Sequence, residues 1–338
     1  MKRKALPGVA SLTIALGLTL SLFIARQVPG QADPPVPPPL STVPVPEPAN
    51  LSDFVVDRTK AIILGKALFW DMQIGSDGIQ ACASCHFHAG ADSRARNQLS
   101  PGLNNRNSDG TPNPDRVASK GFNYALTADD FPFRLLADPT DRNSTVLRDT
   151  NDQVSSQGVK YRKFVGVTPG VAIDVSQFAD DPDGFKVGGL NVRRVVPRHA
   201  PSVINAVFNH RQFWDGRAQN EFNGANPFGT RDPYAGVWRA DTPNVLPLRI
   251  SLAIANASLA SQAVGPPVSS FEMSADGRTF IDIGDKFMRP MRDSGKKMKQ
   301  LRPLGQQIVH PQDSVLGPYS RSPQTGLTFS GYSELIRG

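Results

Sequence analysis

Three residues near the start of the folded part of the chain have the types and spacing needed for covalent haem attachment. Cys82, Cys85 and His86 form a Cys-x-x-Cys-His sequence. Two thiols one helical turn apart can add to the two vinyl groups of one porphyrin, and the next imidazole can reach the iron from the same side. The motif therefore predicts one covalently bound haem c, with His86 as an iron ligand.

Two other roles for this motif have less support. A redox dithiol is expected within a βαβ pattern, which is not seen around Cys82, and it does not need the adjoining histidine. A zinc site needs four ligands, and the sequence offers neither a second Cys-x-x-Cys nor a His-x₃-His pair to complete it. The chain has only two cysteines, so no disulfide framework competes for them.

The opposite face of the iron decides what such a haem does. A strong sixth ligand makes an electron carrier, whereas an open face with a positioned acid–base group makes a peroxidase. Five methionines could supply the sixth ligand: Met72, Met273, Met288, Met291 and Met298. Four further histidines could also coordinate, although most lone histidines do not: His88, His199, His210 and His310. Residue types alone leave both functions open.

The N-terminal segment predicts export from the cytoplasm. Positive residues at 2–4 precede an uncharged apolar stretch at 5–25, and small residues follow at 30–32. This pattern is typical of a signal peptide over residues 1–32, and the apolar stretch is also long enough to be an uncleaved membrane anchor. In either case we expect a periplasmic protein. Residues 33–50 form a Pro-rich linker, which should be extended.

The charge pattern argues against nucleic acid as a partner. The formal net charge is +7, and four of the positive charges lie within residues 1–32. The mild excess that remains is too small to indicate nucleic-acid binding. A basic run between Lys286 and Arg302 could dock an acidic electron donor, but we interpret it as a solvated helix face.

Hydrophobic periodicity predicts helices at 52–70, 249–264 and 284–301, and a short helix around the motif. Residues 90–190 are rich in Asn, Asp, Gly and Pro, which indicates a loop expansion with one hairpin near 158–175. We therefore predict a mainly α, cytochrome c-like haem domain with long irregular loops over residues 51–338. The chain stops directly after a helical segment at 332–335, so we expect it to be truncated at the C-terminus.

Three segments resemble the bacterial di-haem cytochrome c peroxidase family, which includes the related methylamine-utilisation haem enzyme. The first is LGKALFWD at 64–71, just before the attachment motif. The second is PRHAPSVINAVFN at 197–209, which continues into QFWDGRA at 212–218. The third is the short sequence Phe-Glu-Met at 271–273.

The resemblance implies roles for single residues. Cys82, Cys85 and His86 match the attachment site of the peroxidatic haem, and Trp214 matches a tryptophan that lies between the family's two haems. Glu272 matches the distal glutamate that handles peroxide protons. A carboxylate near the iron can take a proton from one peroxide oxygen and return it to the departing one.

The chain also departs from the family pattern. No second Cys-x-x-Cys-His occurs in these 338 residues, so the electron-storing haem is missing. Where many members carry a removable distal histidine, this chain has Asn-Val-Arg-Arg at 191–194. An asparagine that helps to bind calcium in the family is His199 here, which weakens any calcium site.

The resemblance implies a haem c peroxidase that reduces hydrogen peroxide to water. Its electrons would come from a small cytochrome c or cupredoxin, and a separate second-haem polypeptide is a further expected partner. A homodimer is left open. The alternatives are a mono-haem electron-transfer cytochrome with His86 and a methionine as ligands, and a side-chain oxidase of a partner protein.

Overall fold

The structure is a computed structural model that describes residues 36–86, 99–100, 127–149, 153–168, 170–196, 198–239, 248–288, 292–293, 296–297 and 300–336. The predicted signal segment 1–32 and His88 lie outside these residues. The chain divides into one unit at Met1–Pro44 and a second at Val45–Gly338. Within the described ranges, no helix combines the length and hydropathy needed to cross a membrane.

Helices are few and short. The α-helices of the described residues are α1 (Arg58–Trp70), α2 (Ser258–Ala263), α3 (Phe280–Met288) and α4 (Tyr332–Ile336). Single turns of 3-10 helix occur at Leu40–Thr42, Leu51–Asp53, Met72–Ile74, Cys82–Ser84, Ala128–Asp130, Ala206–Phe208, Gly229–Arg231, Pro266–Val268 and Gly317–Tyr319.

The strands are also short. They are β1 (Leu99–Ser100), β2 (Leu135–Leu136), β3 (Val146–Arg148), β4 (Gln153–Val154), β5 (Gln157–Lys160), β6 (Lys163–Gly166), β7 (Val175–Gln177), β8 (Lys186–Val187), β9 (Leu190–Asn191), β10 (Arg193–Val195), β11 (Val237–Arg239), β12 (Leu248–Ile250), β13 (Arg292–Asp293) and β14 (Lys296–Lys297). They form antiparallel two-stranded ladders: β1–β4, β2–β3, β5–β10, β6–β7, β8–β9, β11–β12 and β13–β14.

The predicted fold class is wrong, because the protein is not mainly α. Helix accounts for 25% and strand for 15% of the described residues. The 30 prolines and 29 glycines interrupt helices, since proline lacks the amide proton and glycine pays a large entropy cost. A single 3-10 turn, Cys82–Ser84, takes the place of the short helix expected around the haem motif.

Helix α1 is the element closest to its prediction. Its end at Trp70 agrees, but it begins at Arg58 rather than near residue 52. Asp57 caps the helix by accepting a hydrogen bond from the Lys60 amide at 3.0 Å, which satisfies a donor of the first turn. Ile63 and Ala67 are buried on the face that meets the core.

Other predicted elements are corrected. The first part of the helix predicted at 249–264 is strand β12, and α2 covers only Ser258–Ala263. The helix predicted at 284–301 starts earlier, at Phe280, and ends at Met288 before the β13–β14 ladder. The hairpin predicted near 158–175 is confirmed as β6 and β7, in which Phe164 pairs with Ser176.

The main hydrophobic core lies between α1, α3 and α4. Its buried members are Ile63, Ala67, Ile74, Met273, Ile283, Phe287, Leu304, Val309, Leu316, Leu327, Tyr332 and Leu335. Asp71 ends α1 inside this core and is fully buried. Its carboxylate accepts hydrogen bonds from the Leu304 amide at 2.8 Å and the Tyr332 hydroxyl at 2.6 Å. These bonds satisfy the buried charge and fix the point where the chain turns toward the cysteines.

Candidate functional site

The attachment motif begins with one turn of 3-10 helix, Cys82–Ser84. The Ser84 hydroxyl accepts a hydrogen bond from the Ala81 amide at 3.0 Å, and the His86 amide donates to the Cys82 carbonyl at 3.1 Å. Just upstream, the Asp77 carboxylate accepts from the Gln80 amide at 2.9 Å. The two cysteines and the histidine therefore lie on one tight, internally hydrogen-bonded turn.

His86 is oriented by a residue that the sequence did not single out. Its Nδ1 lies 2.9 Å from the Pro201 carbonyl oxygen. A carbonyl can only accept, so Nδ1 must carry the proton and Nε2 keeps its lone pair for a metal. Burial lowers the pKa of His86, and the bond to Pro201 opposes that shift. Pro201 belongs to the segment 197–209, which was noticed only as a resemblance.

The two cysteines are partly buried, and neither forms a disulfide. Burial raises the pKa of the Cys82 thiol to about 11, and the nearby Cys85 and Glu272 add to the rise. Redox dithiols depend on a thiol whose pKa is lowered. The environment of Cys82 does the opposite, which argues against the dithiol alternative.

Glu272 lies within electrostatic reach of this turn, as its effect on Cys82 indicates. It sits in a turn that follows the 3-10 helix Pro266–Val268, so it is not the first residue of a helix. Burial raises the pKa of its carboxyl, while a hydrogen bond from Ser269 and the charges of Arg217 and Arg198 lower it. A partly buried carboxyl whose pKa is raised holds its proton more readily than a solvated one, which suits a proton-transfer group.

The backbone around Glu272 is held closely on one side by strand β5. The Glu272 carbonyl accepts a hydrogen bond from the Val159 amide at 3.1 Å. A Cβ atom on Gly158 would come within 1.9 Å of the Phe271 carbonyl oxygen, so only glycine allows this approach. The contact fixes the distance between the Glu272 backbone and strand β5.

A buried arginine fixes the residue before Glu272. The Arg194 guanidinium lies 4.4 Å from the ring centroid of Tyr161 and 4.2 Å from that of Phe271. Its Nε pairs with Asp181 at 2.8 Å, and both side chains are almost fully buried. Phe271 is thus held against a cation that cannot itself move.

Trp214 lies on a different kind of element. The tight turn 212–218 is closed by a hydrogen bond from the Gln212 amide to the Ala218 carbonyl at 3.1 Å. Phe213 has a φ of 64°, a strained value for a bulky residue. Trp214 is 86% exposed, so it is not part of the core packing. Its ring has the Arg198 guanidinium 5.5 Å from its centroid, and Arg198 pairs with Asp215 at 3.0 Å.

Arg217 provides a test of whether haem fits here. Its Nε is buried and has no hydrogen-bond partner among the described residues, although its guanidinium lies 4.5 Å from the Phe213 ring centroid. Arg217 also lines a cleft of about 490 Å³ together with Arg231 and Tyr234. The guanidinium of an arginine that lines a cleft can pair with a carboxylate such as a haem propionate. With His86 and the cysteines, the residues present fit haem c.

Of the other candidate ligands, Met291 and Met298 lie outside the described residues, and Met72 is partly buried in the 3-10 turn after α1. His199, His210 and His310 are exposed. Met273 is buried in the main core beside Glu272, while Met288 has no described side chain. Lys286, which was interpreted as part of a solvated helix face, is 1% exposed, so that interpretation is wrong at this position.

The sequence model of one protein family matches residues 59–144 and 174–289, more than half of the chain, and its description is di-haem cytochrome c peroxidase. These ranges contain the attachment motif, the turn of Trp214, and Glu272. No curated protein and no solved structure matches the chain. On the family match, this protein belongs to the di-haem cytochrome c peroxidase family, a family of haem-binding oxidoreductases.

Proposed function

We propose that this chain is the peroxidatic part of an exported haem c peroxidase, which reduces hydrogen peroxide to water with electrons from a small redox protein. One observation carries the proposal. Glu272, a partly buried carboxyl, lies on a turn that is hydrogen-bonded to the segment leading into the cysteine turn, since the Ser76 amide donates to the Met273 carbonyl at 2.8 Å. The family match supports the same reaction class.

The chain's own residues would hold one haem c. Cys82 and Cys85 would form the thioether bonds, and the Nε2 atom of His86 would coordinate the iron, because Nδ1 is committed to Pro201. Arg217 would bind a propionate. The bound haem supplies the redox chemistry of the reaction.

Glu272 would move the protons. Reduction of one hydrogen peroxide to two waters consumes two electrons and two protons, and the departing oxygen must receive a proton to leave as water. A carboxylate oxygen of Glu272 accepts the proton of one peroxide oxygen and returns it to the other. The positive charges of Arg198 and Arg217 act on the same carboxyl and would stabilise negative charge that develops beside it.

Trp214 would receive electrons at the surface. Its ring is largely exposed and is accompanied by Arg198, so a donor can contact it directly. The chain has cysteines for one haem c only. A small cytochrome c or cupredoxin is the proposed electron donor, and a polypeptide that carries a second haem is a further proposed partner. The periplasm is the proposed compartment.

The test is the reaction of the full-length holoprotein with peroxide after Glu272→Gln. This variant keeps the side-chain volume but removes the ionisable group. We expect unchanged haem content and a rate roughly 10²–10⁴-fold lower, which is the usual contribution of a general acid–base group. Glu221→Gln is the matched control, because Glu221 is an exposed glutamate of the same domain.

Two results would reject the proposal. One is a parent rate for Glu272→Gln. The other is a parent protein that shows a methionine–iron charge-transfer band and no reaction with peroxide, which would identify an electron carrier instead.

A further inference from the structure

Three ionisable side chains form a fully buried cluster outside the candidate site. The Asp174 carboxylate pairs with Arg278 Nε at 2.8 Å and with Lys286 Nζ at 2.9 Å. All three side chains are 0% exposed. Asp174 precedes β7, Arg278 follows the Glu272 turn and Lys286 lies in α3, so the cluster joins three distant parts of the chain.

This cluster, Asp174–Arg278–Lys286, contacts the segment that leads to the attachment motif. Its members donate to three consecutive backbone carbonyls: Arg278 Nη1 to Ile74 at 2.8 Å, Lys286 Nζ to Gly75 at 3.0 Å, and the Asp174 amide to Ser76 at 2.9 Å. Three successive carbonyls held by one ion cluster leave this segment little freedom to shift.

The same segment is tied to the Glu272 turn. The Ser76 amide donates to the Met273 carbonyl at 2.8 Å, one residue after Glu272. Arg278 Nη1 also lies 3.4 Å from the Ser274 hydroxyl. The cluster therefore contacts both the chain that enters the cysteine turn and the chain that leaves Glu272.

A fully buried ion cluster contributes little net free energy to the stability of a fold. Taking charges out of water costs several kcal/mol per ion in typical proteins, on the order of what the pairing returns. The cost is visible at Lys286, whose pKa burial lowers to about 8 although Asp174 opposes the shift. Apolar side chains of similar volume would fill the same space without that cost, so a positional role explains the cluster better.

We propose that Asp174, Arg278 and Lys286 are positioning residues that hold the Glu272 carboxyl in register with the haem-attachment turn. The inference rests on the proposed function of Glu272. None of the three residues needs to touch substrate or haem, because they act through the backbone of residues 74–76 and 273–274.

Lys286→Met is the most selective test. It removes the contact with Gly75 and leaves Asp174 and Arg278 as a neutral pair, so no uncompensated charge remains. Lys163→Met is the matched control, because Lys163 pairs with Asp276 of the same turn region but at the surface, with side chains 47% and 38% exposed. Both variants are compared as full-length holoproteins.

The expected result is a rate effect that depends on Glu272. Lys286→Met should retain its haem and react with peroxide on the order of tenfold more slowly, since displacement of a catalytic group by even 1 Å costs up to about 10²-fold. Lys163→Met should react at the parent rate. The double variant Glu272→Gln/Lys286→Met should be no slower than Glu272→Gln alone, because coupled residues are not additive.

A parent rate for Lys286→Met, or additive losses in the double variant, would overturn the inference.

If Glu272→Gln itself reacts at the parent rate, the proposed function fails, and amide exchange of the Ser76 and Val159 protons decides the positioning role. Faster exchange in Lys286→Met then supports it, and unchanged exchange overturns it. If Lys286→Met does not accumulate as holoprotein, Arg278→Lys replaces it under the same criteria, because it keeps the charge and withdraws the contact with Ile74.

Discussion

The Glu272 turn and the Trp214 turn belong to one candidate site but are built in opposite ways. Glu272 is flanked by buried contacts: β5 through Val159, the Arg194–Phe271 stack before it, and the Asp174–Arg278–Lys286 cluster after it. Trp214 lies 86% exposed on a short turn next to a strained residue. The two residues proposed to move protons and electrons thus differ completely in how firmly the fold holds them.

The difference matches the two tasks. Proton transfer needs hydrogen-bond geometry, so a displacement of 1 Å is costly. An exposed aromatic ring instead has to be reachable by a partner protein. Backbone contacts on both sides therefore hold Glu272, the proposed proton-transfer residue. Trp214, the proposed electron-transfer residue, remains accessible at the surface.

Gly158→Ala should have the largest effect, because it disrupts the contact that holds the Glu272 turn against β5. A Cβ at this position would come within 1.9 Å of the Phe271 carbonyl oxygen, so β5 and the Glu272 turn must separate. We expect a loss of unfolding free energy of roughly 1–3 kcal/mol, together with a slower reaction with peroxide. Urea unfolding and stopped-flow absorption measure the two effects.

Gly166→Ala is the control for this change. Gly166 also lies in a strand, β6, and a Cβ there meets no atom within 4 Å. It should leave both quantities near the parent values. Equal effects of the two alanines would show that the Gly158 contact does not position the turn.

Trp214→Ala tests the exposed turn of the candidate site. Because the ring is largely exposed, the unfolding free energy should change by no more than about 0.5 kcal/mol. Steady-state turnover with a reduced donor protein should fall, while the first reaction with peroxide stays intact, and Trp214→Phe should retain more turnover. If Trp214→Ala slows the first reaction instead, the ring belongs with Glu272 rather than with the partner surface.

The pH dependence of the free energy of unfolding offers a smaller test, which concerns the Asp174–Arg278–Lys286 cluster. Burial lowers the pKa of Lys286 from 10.5 to about 8, despite Asp174 and with Arg278 nearby. Between these values the unfolded chain binds more protons than the folded one, so this residue makes stability rise with pH from about 8 to 10.5. Lys286→Met should flatten the rise in urea midpoints over that window. An unchanged slope would mean that burial does not lower the pKa of Lys286.

The local chemistry of the site was predictable from sequence because its motif is contiguous. Cys82, Cys85 and His86 specify haem attachment within five positions. Trp214 and Glu272 were found only through family resemblance, since neither residue type is diagnostic by itself. The end of α1 followed from periodicity, but the two helices expected near the C-terminal half formed only in part: α2 covers Ser258–Ala263, and α3 ends at Met288, shortly before Pro290.

The supporting contacts were not predictable because they join residues far apart in the chain. Pro201 is 115 residues from His86, and Lys286 is 211 residues from the Gly75 carbonyl that it contacts. A charge run is typical of a solvated face, so Lys286 was assigned to one. Only the tertiary fold reveals that Lys286 pairs with the buried Asp174 carboxylate and donates to the Gly75 carbonyl.

The most direct measurement of the central claim is the intact mass of the mature full chain, produced in a host that attaches haem c. The account predicts the polypeptide plus one haem, with pigment that survives acidified acetone in the parent and is lost when Cys82 and Cys85 are both replaced by serine. A colourless protein, or a pigment that acidified acetone extracts from the parent, would contradict it.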